Sequence, residues 1–189
     1  DYNKEGVGRK YVKAPTVSSF KNVTGGVYIK WKKVSGVDSY RIYRKAGNGS
    51  WELIKKLDNS TYSYTDKDVK SGVKYSYAVK AVASGVLSGY YTKTIVYLKN
   101  PAITSAKSTK SGITINYSKA AGAEKYRVYR RLSGEDEWTR IATIKGSSTV
   151  SYTDKNAKKG KTYYYTVRAF SGSYKSAYNT TGYKIKDKY

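Results

Sequence analysis

A thirteen-residue stretch occurs twice in this chain, and it restricts the fold more than anything else in the sequence. It reads Val-Lys-Ser-Gly-Val-Lys-Tyr-Ser-Tyr-Ala-Val-Lys-Ala over Val69–Ala81, and Ala-Lys-Lys-Gly-Lys-Thr-Tyr-Tyr-Tyr-Thr-Val-Arg-Ala over Ala157–Ala169. In each copy a glycine (Gly72, Gly160) turns the chain, and a tyrosine three residues later (Tyr75, Tyr163) opens an alternating segment. Side chains alternate across a strand with period two. Tyr75, Tyr77, Val79 and Ala81 therefore share one face, as do Tyr163, Tyr165, Val167 and Ala169. A turn followed by a tyrosine at the head of a central strand is the arrangement called a tyrosine corner in β-sandwiches.

The stretch sits inside a longer repeat. Pro101 follows Pro15 by 86 residues, Tyr117 follows Trp31 by 86, Trp138 follows Trp51 by 87 and Tyr152-Thr-Asp154 follows Tyr64-Thr-Asp66 by 88. The drift places single insertions in loops. From Pro15 onward the first repeat reads as short strands: Thr16–Phe20, then Val27–Trp31 with Trp31 inward, then a segment with Tyr40 and Ile42 on one face. Gly47-Asn48-Gly49-Ser50 is a hairpin turn leading into Trp51–Leu57, because Gly and Asn tolerate positive φ. Thr61–Thr65, the opening stretch and Tyr90–Leu98 complete seven strands. No helical period occurs anywhere. The fold class expected is all-β, two consecutive seven-stranded antiparallel sandwiches.

Trp31, Tyr40-x-Ile42 and Gly72-x-x-Tyr75-x-Tyr77-x-Val79-x-Ala81, with their second-repeat counterparts, resemble the fibronectin type III family. Residues 1–14 show no clear period and read as an N-terminal linker or tail in which Tyr11 and Val12 are the residues expected to pack; the resemblance covers both repeats, one domain over 15–99 and another over 100–189. Two departures stand out: Tyr117 occupies the position of Trp31, and Ser71 and Lys159 stand where the family often has proline. The Lys-, Tyr- and Ser-Gly-rich style resembles modules of secreted or cell-surface proteins of Gram-positive bacteria. That resemblance implies an extracellular or cell-surface location, a monomer, and other domains of a parent protein as neighbours. The chain starts at Asp1 and has no methionine, so it reads as a piece of a longer protein. The join Leu98-Lys99-Asn100-Pro101 is short, and its proline stiffens it.

Composition narrows the chemistry. The chain has neither cysteine nor histidine, which removes disulfides, thiolate or imidazole metal sites and every nucleophile–histidine arrangement. There is no apolar run near the length of a membrane span, so no membrane insertion is expected. The one acidic cluster, Glu135-Asp136-Glu137, falls on a hairpin loop and reads as a solvated turn rather than a pair of catalytic carboxylates. Asp66 and Asp154 read as turn-capping side chains, not metal ligands. No enzyme activity, metal or cofactor is expected. The charge is lopsided, with 37 Lys and Arg against 13 Asp and Glu for a formal +24. Such a surplus attracts polyanions.

The strongest candidate for a binding surface is the outward side of the third and sixth strands of the second repeat. Alternation points Arg127, Tyr129, Arg131, Tyr164, Arg168 and Phe170 outward, and in the fold that the resemblance implies the two strands are neighbours, so these side chains share one surface. An aromatic platform among guanidinium groups suits sugar rings, polyanions or nucleobases. The competing reading is that these Tyr–Arg pairs only stabilise the sheet. The first repeat is plainer there, with Arg41, Tyr43, Lys45, Ser76, Ala78, Lys80 and Val82. Trp51 and Trp138 are secondary candidates that, recurring at matching places, also read as packing over the sheet edge. The leading expectation is a non-catalytic binding or spacer region contacting polysaccharide or an anionic cell-wall polymer. The alternative is an electrostatic binder of polyanions, nucleic acid included.

Overall fold

The computed structural model describes residues 11–146 and 148–189. The expected N-terminal linker therefore falls largely outside the described residues. At its end Val12 is buried while Tyr11 is 86% exposed, so only one of the two residues expected to pack there does so.

The first repeat forms β1 (Val17–Val23), β2 (Gly26–Trp31), β3 (Ser39–Ala46), β4 (Glu52–Asp58), β5 (Ser63–Asp66), β6 (Lys74–Ala83), β7 (Val86–Leu87) and β8 (Lys93–Val96). The second forms β9 (Ile103–Thr109), β10 (Gly112–Tyr117), β11 (Lys125–Leu132), β12 (Thr139–Lys145), β13 (Ser151–Asp154), β14 (Thr162–Ser171), β15 (Tyr174–Lys175) and β16 (Tyr183–Lys186). In the first repeat β1–β2–β5 make one sheet, and β4–β3–β6–β7 with β8 on β6 make the other. The second repeat has the same order, β9–β10–β13 and β12–β11–β14–β15 with β16 on β14. These are two antiparallel β-sandwiches, in each of which three strands face a larger sheet. The chain divides into two compact units, one built on Tyr28–Thr65 and Tyr75–Thr94, the other on Lys21–Val27, Asp66–Lys74 and Ile95–Tyr189.

Burial follows the period-two pattern. Val27, Ile29, Trp31, Tyr40, Ile42, Tyr75, Tyr77, Val79 and Ala81 are buried in the first sandwich. The second core gathers Ile113, Ile115, Tyr117, Tyr126, Val128, Tyr163, Tyr165, Val167 and Ala169, with Leu98 from the expected join. Its buried tyrosines are anchored at their polar ends, as a buried hydroxyl requires. Tyr163 Oη accepts a hydrogen bond from the Lys158 amide (3.1 Å), the back-bond of a tyrosine corner. Tyr126 Oη accepts from the Ala120 amide (3.0 Å), as Tyr40 Oη does from Val34 (2.9 Å). Tyr117 meets Tyr126 edge-on at 5.2 Å, matching Trp31 against Tyr40 at 5.4 Å. It adds a bond that the indole does not make, its hydroxyl donating to the Thr149 carbonyl (3.1 Å). The departure at this position is thus accommodated inside the fold.

Asp66 and Asp154 cap turns as expected: Asp66 Oδ1 accepts from the Asp68 amide and Asp154 Oδ1 from Asn156, both at 3.1 Å. Asp154 does more. Its other oxygen accepts from Arg130 Nη1 and from Tyr165 Oη, each at 2.7 Å, in a site where the carboxylate is almost wholly buried. Burial, and then the bond to Asp154, push the Tyr165 phenol above its ordinary pKa.

The last strand departs from expectation. Within the expected strand Tyr90–Leu98 only β8 (Lys93–Val96) is strand, and a separate short piece, β7, pairs with β6 ahead of it in the segment expected as a turn; β15 and β16 pair with β14 in the same two-piece way. The cause is a buried serine at the break. The Ser88 amide donates to the Ala81 carbonyl (2.8 Å), and Ser88 Oγ accepts from the Ala81 amide (2.9 Å), taking the place of a ladder carbonyl. Ser176 does the same to Ala169, at 2.9 and 3.0 Å. Each hydroxyl then donates to the next carbonyl, Gly89 (2.7 Å) or Ala177 (2.6 Å). With the ladder satisfied by a side chain, the backbone beyond it is free to leave the strand. The segments that leave carry Tyr90 and Tyr178.

Candidate functional site

The register places the expected face directly. Arg127 pairs with Arg168, Tyr129 with Thr166 and Arg131 with Tyr164 across β11 and β14. What the register does not reveal is that most of the rings already carry cations of the chain itself. The Arg131 guanidinium lies 4.3 Å from the Tyr164 ring centroid and 5.3 Å from that of Trp138. Arg131 Nη1 also donates to the Glu135 carbonyl (2.8 Å), with a longer bond from Nη2 to Thr181 (3.4 Å). Arg131 and Tyr164 are therefore occupied in holding the surface together. For these two the sheet-stabilising reading is the better one.

Phe170 corrects the expectation more sharply. It points to the outward side yet is only 7% exposed, with the Arg127 guanidinium 4.3 Å from its ring centroid. A ring covered in this way offers no face to a ligand. Thr166, also on the outward side, is 2% exposed.

The open part of the face lies at Arg168. Tyr129, Trp138, Arg168 and Tyr178 line a cleft of about 200 Å³. Trp138, one of the two secondary candidates, lines this cleft. The expelled segment after Ser176 supplies Tyr178, whose ring centroid is 5.2 Å from the Arg168 guanidinium. Arg168 Nε donates to the Ser176 carbonyl (2.6 Å), so the same serine that breaks the strand also holds the arginine. The Nη donors of its fork remain for another acceptor. Burial lowers the Arg168 pKa from its usual value, and the neighbouring Arg127 acts in the same direction. Gly182 closes the cleft's rim: its φ is +80°, and a Cβ there would stand 2.6 Å from Trp138 Cη2.

The first sandwich is less plain than its sequence reads. Lys80 Nζ lies 4.6 Å from the Tyr90 ring centroid and 5.5 Å from that of Tyr43. Trp51 meets Tyr90 edge-on at 6.0 Å, with Lys45 Nζ 5.8 Å from the indole. Alternation and the 86-residue offset do not single out Tyr90 or Tyr178. Their signal was Ser88-Gly89-Tyr90 against Ser176-Ala177-Tyr178, a serine, a small residue and a tyrosine repeated 88 positions apart.

Glu135, Asp136 and Glu137 are all solvent-exposed. Among the described residues no group of three His, Cys, Asp or Glu side chains is placed to hold a metal ion, and no helix is long and apolar enough to cross a membrane.

No family model matches the chain, and no curated protein matches it. Among solved structures it is similar to a two-fibronectin type III domain segment from chicken tenascin, at 16% identity over 92% of this chain and 99% of that one, with a TM-score of 0.46. It is also similar to the chicken CNTN1 FN1–FN3 domains, at 18% identity over 93% of this chain and 67% of that one, with a TM-score of 0.43. Strand order and burial within the chain identify the two sandwiches independently of these likenesses.

Proposed function

We propose that this chain is a non-catalytic binding segment of a bacterial secreted or surface-anchored protein, and that its second sandwich holds a ring of a polysaccharide. The observation that carries the reading is the cleft lined by Tyr129, Trp138, Arg168 and Tyr178. A saccharide ring has an apolar C–H face and polar edges. Aromatic walls accept the face, and a guanidinium with unused donors accepts a hydroxyl or carboxylate at the edge. Holding the cleft on a sheet, with Arg168 tied to Ser176 and Trp138 set against Gly182, fixes the walls before ligand arrives and so lowers the ordering cost of binding. The neighbouring domains of a parent protein would then use the segment both as an attachment point and as a spacer.

The second reading, a general electrostatic binder of polyanions, is favoured by one observation, the formal charge of +24. Salt separates the two. Binding that neutralises many phosphates weakens steeply as salt rises, whereas stacking on neutral sugar hardly changes. Probing the chain on an array of glycans and wall polymers at low and high salt is the test. Saccharide spots retained at high salt, and lost with Trp138→Ala, support the cleft. Signal confined to low salt, on polyanions of every chemistry, supports the electrostatic reading.

A further inference from the structure

The two sandwiches share a feature that their sequences conceal. On the outward side of the larger sheet, Arg127 stands directly opposite Arg168, and at the same place in the first sandwich Arg41 stands directly opposite Lys80. Like charges directly opposite on one sheet face oppose pairing. Among the described residues neither pair is neutralised by a neighbouring carboxylate: the ion pairs Arg44–Glu52 and Arg130–Asp154 use other residues. All four side chains are only partly exposed, which strengthens the repulsion by removing water. Each pair also has the same aromatic company. Tyr129, Trp138 and Tyr178 line the cleft with Arg168, while Tyr43 and Tyr90 lie against Lys80 and Trp51 meets Tyr90 edge-on. In both cases the last tyrosine is delivered by the break after a buried serine, Ser176 or Ser88.

We propose that each sandwich carries an anion site at this register position, Arg127–Arg168 beside Tyr178 and Arg41–Lys80 beside Tyr90, and that both take the carboxylate of a uronic-acid polysaccharide. The inference rests on the reading that the chain holds polysaccharide, and adds to it the charge of the ligand and a second site on the first sandwich. A uronate ring presents an apolar face and a carboxylate from one residue, which matches a cation pair walled by aromatic rings. A carboxylate also fits the fork of a guanidinium. A nucleic acid would spread its charge along an open stripe of cations, whereas here each cation pair is flanked by aromatic rings.

The test is a titration of the full chain with trigalacturonate, followed by backbone-amide NMR, beside its methyl-esterified counterpart and a short single-stranded oligonucleotide. Amides of β6 around Lys80 and of β14 around Arg168 are expected to shift together, with the ester at least tenfold weaker. Lys80→Ala is expected to abolish the β6 shifts alone. Arg168→Gln, which keeps a donor for the Ser176 carbonyl, is expected to abolish the β14 shifts alone. Arg41→Ala serves as a second variant for the first sandwich should Lys80→Ala alter the free spectrum. Shifts confined to β14 would remove the first-sandwich site and leave the polysaccharide reading standing. An ester that binds as tightly as the acid would remove the anion and keep the sugar. Tighter binding of the oligonucleotide, or no shift with any of the three, would overturn the proposal; the polysaccharide reading falls separately, if no glycan spot on the array survives high salt.

Discussion

Replacing Gly182 by alanine isolates how the second sandwich holds its cleft open. Two costs arise. The residue sits at φ +80°, where an L side chain meets its own carbonyl, worth about 1–2 kcal/mol. The new methyl carbon would also stand 2.6 Å from Trp138 Cη2, 3.2 Å from Cζ2 and 3.1 Å from Tyr164 Cβ, so something must move. Tyr164 is held between strand and Arg131, and the indole is the element able to yield. Its displacement forfeits the contact with Arg131 at 5.3 Å, about 0.5–1 kcal/mol at a partly exposed site. The total is about 1.5–3 kcal/mol. Gly172→Ala supplies the control, because Gly172 also has positive φ (+53°) but nothing within 4 Å of a built Cβ. It bears the backbone cost alone, about 1 kcal/mol. Urea denaturation read at constant m-value gives both numbers. Near-ultraviolet circular dichroism reports the indole, since Trp138 is the one tryptophan of the second repeat. Equal costs for the two variants, with an unchanged aromatic spectrum in Gly182→Ala, would refute the account of Trp138 as a wall set by that glycine.

Asp154→Ala leaves Arg130 and the buried Tyr165 hydroxyl without their acceptor and is expected to cost about 3 kcal/mol in urea denaturation. Adding Arg130→Met should then cost far less than it does alone, and simple additivity in the double-mutant cycle would count against the network. Ser176→Ala strips the buried Ala169 amide of its acceptor and should destabilise the second sandwich by about 1–3 kcal/mol, with Ser88→Ala acting likewise through Ala81. Hydrogen exchange at those two amides checks it, faster exchange being expected in each variant. Burial, and then the neighbouring Tyr126, push the Tyr117 phenol up to about 12 from the ordinary 10.0. The folded chain therefore keeps a proton that the unfolded chain releases. Stability is full below about pH 10 and falls as pH rises towards 12, more steeply than in Tyr117→Phe. A denaturation midpoint flat across that range would contradict this.

The inward half of the fold was legible because it obeys a short period. Tyr75, Tyr77, Val79 and Ala81 declare a buried face by alternation alone, and the 86-residue offset carries the same statement to Tyr163 and its neighbours. The outward half was not, because alternation says where a side chain points and not what covers it. Phe170 and Thr166 point outward and are buried, since burial there is decided by elements remote in sequence. Arg131 illustrates the same limit: its spacing gives its direction, but its bonds to Glu135 and Thr181 depend on loops whose paths no period encodes. The break in the last strand was the most consequential feature missed. Ser88 and Ser176 look like ordinary strand serines until their hydroxyls are found standing in for a backbone carbonyl. That substitution is what brings Tyr90 and Tyr178 to the cation pairs.

The most direct measurement is the affinity of the intact chain and of Trp138→Ala for a polysaccharide retained on the array at high salt. Removing an aromatic wall from a binding cleft typically costs about 2 kcal/mol, roughly 30-fold in Kd. A loss of that order is expected in Trp138→Ala, with stability lowered only by the lost contact with Arg131, about 0.5–1 kcal/mol, because the indole lies at the surface of the sheet and not in its core. Undiminished affinity in a folded Trp138→Ala chain would contradict the claim that the second sandwich binds through this cleft.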